Sequence, residues 1–267
     1  MGDHRAIGVI DSGVGGLTVV KELQKLLPQE DIIYFGDNAN VPYGNRSEEE
    51  IADLTKAMID YLIEKDVKLI AVACNTISTI VDKYFSDYEI PIVSIIAPTA
   101  NYVVKNKLNE VGVIATNFTI QTGAYDKLIK DKDISVEVTS EGSPNLATLV
   151  DSADFTDDEV RQLVSLHMKN ILSKKDLKDI ILGCTHYPIV VDKFQEFGPG
   201  INFINPAYEQ VLYIDKLLDK MDGKIIDGNS SFTVYTSGKR DAYLKMVDLL
   251  ALDKPDNIME LGLELQQ

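Results

Sequence analysis

The chain has 267 residues, of which 45% are hydrophobic and 25% charged, a composition typical of a folded globular protein and unlike that of a disordered or collagen-like one. Its 42 acidic and 26 basic side chains give a net charge of −16, which repels nucleic acids and anionic lipid headgroups, so we expect no nucleic-acid partner and no membrane partner. The apolar runs are too short for a spanning helix and the N-terminus lacks the apolar core of a signal peptide, so we expect a cytoplasmic protein.

Short runs rich in Ile and Val alternate along the chain with longer amphipathic segments. This alternation predicts an α/β fold in which mostly parallel sheets are flanked by helices. The predicted strands are 6–10, 31–35, 67–73, 90–96, 111–115, 134–138, 179–183, 201–204 and 232–236. The clearest predicted helices are 17–27, 48–64, 157–172 and 209–221.

Two proline positions predict where the chain divides into domains. Ala97-Pro98 and Asn205-Pro206 follow predicted strands, and proline disfavours helix at the residue before it. We therefore expect a discontinuous first domain, 1–97 plus 207–267, and a continuous second domain, 98–206. Segments 67–80 and 177–190 also align without a gap, each a strand that ends in a cysteine, which favours two similar halves.

Small polar residues collect at the predicted carboxyl ends of the strands, where open α/β sheets bind ligands. These positions are Asp11-Ser12-Gly13, Pro42-Tyr43-Gly44, Cys74-Asn75-Thr76, Thr116 with Thr119, and Cys184-Thr185-His186. We expect all five groups to face one cleft.

Cys74 and Cys184 are too few for a disulfide framework, and each precedes a predicted helix start, where the helix dipole favours the thiolate. One thiol from each half is the arrangement that inversion at a carbon requires, because one base removes a proton and the other returns one to the opposite face. Asp11 is the expected proton-transfer partner of Cys74, and His186 that of Cys184. Taken singly, each cysteine is better explained as a buried core residue, but the pair in matched polar contexts favours a role in chemistry.

The sequence does not support a structural zinc site, a dinucleotide site or a phosphate loop. The cysteines lie too far apart in sequence for a structural zinc site, and His4 and His167 belong to no motif. The glycines of DSGVGG (11–16) match neither a dinucleotide nor a phosphate-loop pattern, although they would let a small carboxylate approach backbone N–H groups.

Five motifs, in this order and at these distances, resemble those of the glutamate racemases of bacterial cell-wall synthesis: IGVIDSGVGGLTVV, VPYG, AVACNTIS, VGVIATNFTIQTGAY and LGCTHYP. The resemblance covers almost the whole chain and implies two similar α/β domains with the active site in the cleft between them. It implies interconversion of L- and D-glutamate without a cofactor or metal, which would supply D-glutamate for peptidoglycan. Cys74 would take the α-proton of D-glutamate and Cys184 that of L-glutamate, and a homodimer is plausible from the family alone.

The resemblance also implies a set of substrate contacts. They are Ser12, Tyr43, Gly44, Asn75, Thr76, Thr116, Thr119 and Thr185. Two positions depart from the family pattern. Residues 95–99 read IIAPT where many members have VIEPG, and Asp151 stands where the second domain usually carries a glutamate, so it would be an assisting carboxylate one methylene shorter.

Because the motif segments contain no Lys or Arg, the substrate carboxylates would be held by hydroxyl groups and helix N-termini. Two alternatives stay open. The same cysteine pair would serve a racemase for aspartate or another acidic amino acid equally well, and the chain would also suit a non-catalytic anion-binding module with core cysteines. A thiol hydrolase is less well supported, since it needs one nucleophile rather than two.

Overall fold

The structure, a computed structural model, describes residues 2–227 and 230–261. Within this part of the chain, ten strands form two sheets in which every pairing is parallel. The strands are β1 (Ile7–Asp11), β2 (Ile32–Gly36), β3 (Leu69–Val72), β4 (Ile92–Ser94), β5 (Glu110–Thr116), β6 (Glu137–Ser143), β7 (Asp179–Gly183), β8 (Asn202–Ile204), β9 (Phe232–Thr236) and β10 (Asn257–Glu260).

Helices of very different length connect the strands. They are α1 (Leu17–Leu26), α2 (Glu48–Glu64), α3 (Asn75–Ser78), α4 (Val81–Tyr84), α5 (Ile96–Lys105), α6 (Asn117–Thr122), α7 (Ala124–Lys130), α8 (Leu146–Asp151), α9 (Asp157–Lys174), α10 (Val191–Phe197), α11 (Pro206–Lys220) and α12 (Arg240–Leu250). The two longest, α2 and α9, both begin with a capping box, Ser47 with Glu50 and Thr156 with Glu159, which satisfies backbone N–H groups at the helix start.

The two sheets share one topology. The six-stranded sheet has the order β10-β9-β2-β1-β3-β4, and the four-stranded sheet has the order β6-β5-β7-β8. The series β2-β1-β3-β4 and β6-β5-β7-β8 are therefore equivalent, with β1 matching β5 and β3 matching β7. The predicted fold class, two similar α/β halves with parallel sheets flanked by helices, is confirmed.

The strands of the four-stranded sheet all lie between residues 110 and 204, and the remaining strands come from both ends of the chain. This distribution supports the division into 1–97 plus 207–267 and 98–206, which we keep as a proposal. The proposed boundary at Ala97-Pro98 lies inside the first turn of α5 rather than in a loop, so the interpretation of this proline as a break was wrong. Proline is tolerated there because the first N–H groups of a helix have no intrahelical acceptor.

Two strands differ from the prediction. Segment 134–138 lies mostly before β6, which runs from Glu137 to Ser143 through polar residues that give no hydrophobic signal. Strand β10 was not predicted, since it is a short edge strand whose side chains are largely exposed. By contrast, all five residues of the central strand β1 are buried, as expected for a parallel strand covered on both faces.

None of the helices in the described ranges combines the length and the hydropathy needed to cross a bilayer.

Candidate active site

A cavity of about 170 Å³ lies at the carboxyl ends of the strands of both sheets. Its size suits a small ligand rather than a nucleotide. The residues that line it are Ser12, Val41, Pro42, Tyr43, Gly44, Asn45, Cys74, Asn75, Thr76, Thr116, Asn117, Ser143, Pro144, Ala147, Thr148, Asp151, Cys184, Thr185 and His186. Within residues 2–227 and 230–261, no three His, Cys, Asp or Glu side chains are grouped as a metal site requires.

Cys74 lies on the first-sheet side of the cavity, between β3 and the short helix α3, and only 6% of its surface is exposed. Its Sγ lies 3.5 Å from the hydroxyl oxygen of Ser12. Burial and the nearby Asp11 carboxylate raise the pKa of the Cys74 thiol to about 12. The expected lowering of this pKa by the helix dipole is therefore wrong for Cys74: a helix of four residues has a small dipole, and burial outweighs it.

Cys184 lies at the equivalent place after β7, and its Sγ is 3.5 Å from Nδ1 of His186. The other ring nitrogen, Nε2, lies 2.8 Å from Oδ1 of Asp151. Burial alone would lower the pKa of His186, but the hydrogen bonds to Asp151 and Cys184 oppose burial and raise this pKa well above its ordinary value. A chain of carboxylate, imidazolium and sulfur thus runs into the cavity from the second-sheet side.

Asp11, at the end of β1, is fully buried behind the cavity rather than on its surface. Its Oδ1 accepts a hydrogen bond from the Gly13 N–H at 2.9 Å, and its Oδ2 accepts one from the Thr185 hydroxyl at 3.3 Å. Burial raises the pKa of Asp11 to about 6. The hydrogen-bond partner of Cys74 is thus Ser12, while Asp11 influences the thiol through its charge.

Three threonine hydroxyls meet where the two sheets approach each other. Thr76 lies 3.2 Å from Thr116 and 3.4 Å from Thr119, and the last two are 3.0 Å apart, measured between Oγ1 atoms. Thr119 does not line the cavity, but it supports the two threonines that do. Hydroxyls in such a group can turn their donors toward a carboxylate.

The loop that carries Tyr43 and Gly44 follows a cis peptide bond between Val41 and Pro42. The Tyr43 hydroxyl donates to Asp37 at 2.6 Å, and the Ser237 hydroxyl donates to the same carboxylate at 2.5 Å. This buried network holds the loop against the six-stranded sheet, so that Tyr43 and Gly44 form one wall of the cavity.

The glycine-rich loop 13–16 lies where the two halves of the protein meet. A Cβ added at Gly15 would lie 2.5 Å from the Thr185 hydroxyl, so this glycine lets the two halves approach closely. The N–H of Val14 donates to Asp151 at 3.2 Å, and Asp11 accepts from Gly13. The side-chain carboxylates that accept from this loop are those of Asp11 and Asp151.

The predicted site residues come together around this cavity, with Asp11 and Thr119 directly behind its lining. Sequence reasoning missed one wall, formed by Ser143, Pro144, Ala147 and Thr148. Segment 143–148 follows β6, and its position was hidden because that strand was predicted to end five residues earlier. The Ser-Pro pair after a correctly placed strand end is the signal that would have revealed it.

The fold and the site together define a class: a two-domain parallel α/β protein whose cleft holds two buried thiols, one from each sheet. The chain belongs to a family of racemases, since the Asp/Glu/Hydantoin racemase family model matches residues 7–211, more than half of the sequence.

Individual relatives agree with this assignment. The chain is 35% identical over 266 residues to the glutamate racemase of Thermoanaerobacter pseudethanolicus, covering 98% of this chain and 99% of that one. It is similar to the crystal structure of glutamate racemase isoform RacE1 from Bacillus anthracis, with a TM-score of 0.90, 32% identity and 98% of each chain covered. Glutamate racemase from Francisella tularensis in complex with D-glutamate gives a TM-score of 0.89 and 32% identity, over 98% of this chain and 99% of that one.

Proposed function

We propose that this protein interconverts L- and D-glutamate by moving the α-proton between two thiols. The observation that carries the proposal is that Cys74 and Cys184, each from one sheet, line the same small cavity, and each has a polar partner 3.5 Å from its sulfur. The names of the relatives and the D-glutamate complex of the Francisella protein support glutamate as the substrate.

The two thiols would have complementary states in the resting protein. Cys184, whose Sγ lies 3.5 Å from Nδ1 of His186, would start as the base, whereas burial and Asp11 keep Cys74 protonated. In this state Cys184 would take the α-proton of L-glutamate and Cys74 would deliver one to the opposite face. The reverse reaction needs the other state, in which Cys74 is the base and Cys184 carries the proton. Asp11 would assist proton transfer at Cys74, and His186 would assist it at Cys184. Asp151 would assist by holding His186.

The carboxylates of the substrate would be held without a cation, since none of the described residues that line the cavity is Lys or Arg. Neutral donors would replace it. They are Ser12, Asn75, Thr76, Thr116 and Thr185, with Thr119 behind them and the loop at Tyr43 and Gly44 on the facing wall. In a cavity that excludes water such fixed dipoles act more strongly than they do in solvent.

The test compares racemisation by the Cys74→Ala and Cys184→Ala variants with that of the parent. Circular dichroism measures the loss of optical activity of glutamate, starting from either enantiomer and without added cofactor. Each variant should lose activity by on the order of 10³-fold or more, because each removes one of two obligatory acid/base groups. Ser86→Ala, at an exposed position, is the control and should behave as the parent. Near-normal turnover in either cysteine variant would rule out the two-thiol scheme.

Two further measurements separate the alternatives. Relative rates on glutamate and aspartate distinguish a glutamate racemase from one for the shorter acid. Alkylation of the two thiols, with and without glutamate, tests the binding module: equal, slow labelling under both conditions favours core cysteines that never meet a ligand. The same proposal includes three further points: the protein supplies D-glutamate for peptidoglycan, it is cytoplasmic, and it forms a homodimer. Sedimentation of the purified protein tests the homodimer.

A further inference from the structure

Asn75 lines the cavity, and half of its side-chain amide has no hydrogen-bond partner among the described residues. The residue is 3% exposed and lines the cavity at the start of α3. Its Oδ1 accepts a hydrogen bond from the Tyr125 hydroxyl at 2.7 Å. No acceptor in the described ranges is hydrogen-bonded to its Nδ2. Buried amide groups are almost always paired, so an unpaired NH2 at a cavity surface indicates a ligand acceptor.

Tyr125 determines which end of this amide faces the ligand. The phenol is 3% exposed, and burial raises its pKa far above the ordinary value, so it stays protonated and donates. A donor that points at Oδ1 fixes which end of the amide is the oxygen and leaves the NH2 group as the end available to a ligand. An amide turned this way attracts a carboxylate and does not accept from an ammonium group.

The hydrogen bond also joins the two halves of the protein. Asn75 follows β3 of the six-stranded sheet, whereas Tyr125 belongs to α7, two elements after β5 of the four-stranded sheet. The amide is therefore oriented only while the halves are in contact. Opening of the cleft would break this hydrogen bond, let the Asn75 side chain rotate and weaken its binding to the ligand.

We propose that Tyr125 is a positioning residue that fixes the Asn75 side chain as a hydrogen-bond donor to a carboxylate of the substrate. This inference rests on the proposed function and adds to it the reason that a carboxylate, rather than the amino group, occupies this corner of the cavity.

The first test is Tyr125→Phe, which removes one hydroxyl and leaves the ring. We expect the KM for glutamate to rise about fivefold to tenfold, the effect of one hydrogen bond, with little change in kcat or in the pH profile. The matched control is Tyr88→Phe, which removes a 2.8 Å hydrogen bond to Asp60 far from the cavity and should leave KM unchanged. An unchanged KM in Tyr125→Phe would overturn the proposal.

A double-variant cycle distinguishes positioning from a merely structural role. If Tyr125 acts through Asn75, adding Tyr125→Phe to Asn75→Ala should not raise KM further, and additive effects would contradict the proposal. Should Tyr125→Phe fail to fold, Asn75→Asp keeps the acceptor for Tyr125 but replaces the NH2 group by oxygen, and glutamate should no longer raise its unfolding temperature. A parental shift in that variant would equally overturn the proposal. An inactive parent protein would instead contradict the proposed function, on which this inference depends.

Discussion

At the scale of single residues, the two thiols lie in unlike surroundings although their strands are equivalent. Cys74 lies near a buried carboxylate, and Cys184 lies beside an imidazole held by Asp151. The motifs were enough to predict the identity of these groups. Their proton affinities were not predictable from sequence, because burial, which raises the pKa of Cys74 to about 12, depends on how the two halves close over it.

The hydrogen bond from His186 to Asp151 leads to a prediction about pH. Because the folded-state pKa of His186 lies above its unfolded-state value, its protonation stabilises the fold; this contribution is complete below about pH 6.5 and is lost as the pH rises through the folded-state pKa. Asp151→Asn removes the carboxylate and should lower that pKa toward its ordinary value. NMR titration of the imidazole protons measures it directly, since the chain has 3 histidines.

The same spectra contain their own control. His167 is hydrogen-bonded to Glu141, away from the cavity, so the positions of its imidazole resonances at a fixed pH should be unchanged by Asp151→Asn. A His186 titration identical to that of the parent would mean that Asp151 does not tune the imidazole.

At the scale of elements, helix α12 reaches the glycine-rich loop although it lies beyond residue 211, where the family match ends. The hydroxyl of Tyr243 in α12 lies 3.4 Å from the carbonyl oxygen of Gly13, which also accepts from Tyr34 at 2.7 Å. Gly13 is next to Ser12, the partner of Cys74. Helix α12 therefore contacts the loop that carries Ser12, the hydrogen-bond partner of one of the two thiols.

Gly36, at the end of β2, makes this support possible and provides a test of it. A Cβ at this position would clash with the Tyr243 hydroxyl and lie 2.6 Å from the Gly13 carbonyl oxygen. Gly36→Ala should therefore displace the loop, destabilise the protein by about 1–3 kcal/mol and reduce kcat/KM by on the order of 10²-fold. Racemisation assays and urea unfolding measure the two effects.

Gly223→Ala is the matched control for Gly36→Ala. Its added Cβ would meet Leu218 Cδ2 at 3.4 Å, an ordinary contact, so both activity and stability should remain close to those of the parent. Parental activity in Gly36→Ala would show that the loop does not depend on α12.

Sequence patterns predicted the elements unequally, and the reason is physical. The strongly amphipathic α2 was predicted with its observed bounds, Glu48–Glu64, and the apolar β7 with Asp179–Gly183. The predicted position of strand β6 was wrong because Thr139, Ser140 and Glu141 are polar and give no hydrophobic signal. The strand forms because it pairs with β5 in the sheet, which its own residues do not reveal. Short helices such as α3 and α8 carry too few residues for a periodic pattern.

At the scale of the whole molecule, a buried ion pair joins distant segments at the end of the first sheet opposite the cavity. Lys68 and Glu30 form a salt bridge with both side chains almost fully buried. Lys68 also donates to the carbonyl oxygens of Asp3 and Gly223, at 2.8 and 2.9 Å, and Glu30 accepts from the Ile225 N–H at 2.9 Å. Lys178, which the sequence repeat aligns with Lys68, is exposed. The repeat therefore did not predict the buried ion pair.

Removal of one partner of this pair should be costly. Lys68→Met leaves a buried carboxylate unpaired and should lower the free energy of unfolding by about 3–5 kcal/mol. The double variant with Glu30→Gln removes the unpaired charge and should recover much of the loss. Urea unfolding gives both values, and racemisation by the double variant should stay near the parental rate.

Lys56→Met is the comparison for Lys68→Met, because it breaks an exposed ion pair with Asp60 and should change stability little. If Lys68→Met and Lys56→Met lowered the free energy of unfolding by equally small amounts, the ion pair of Lys68 and Glu30 would not hold the segments together.

The route of the chain through the two sheets sets the order in which they can be completed during synthesis. The four-stranded sheet uses one continuous stretch that ends at Ile204, whereas β9 can pair with β2 only after residue 236 has left the ribosome, and β10 can pair with β9 only after residue 260 has done so. A chain of which residues up to about 225 have left the ribosome thus holds a complete second sheet beside a first sheet with the outer edge of β2 unpaired. Exposed strand edges invite association between chains, so this interval is when the growing protein is most in need of chaperone protection.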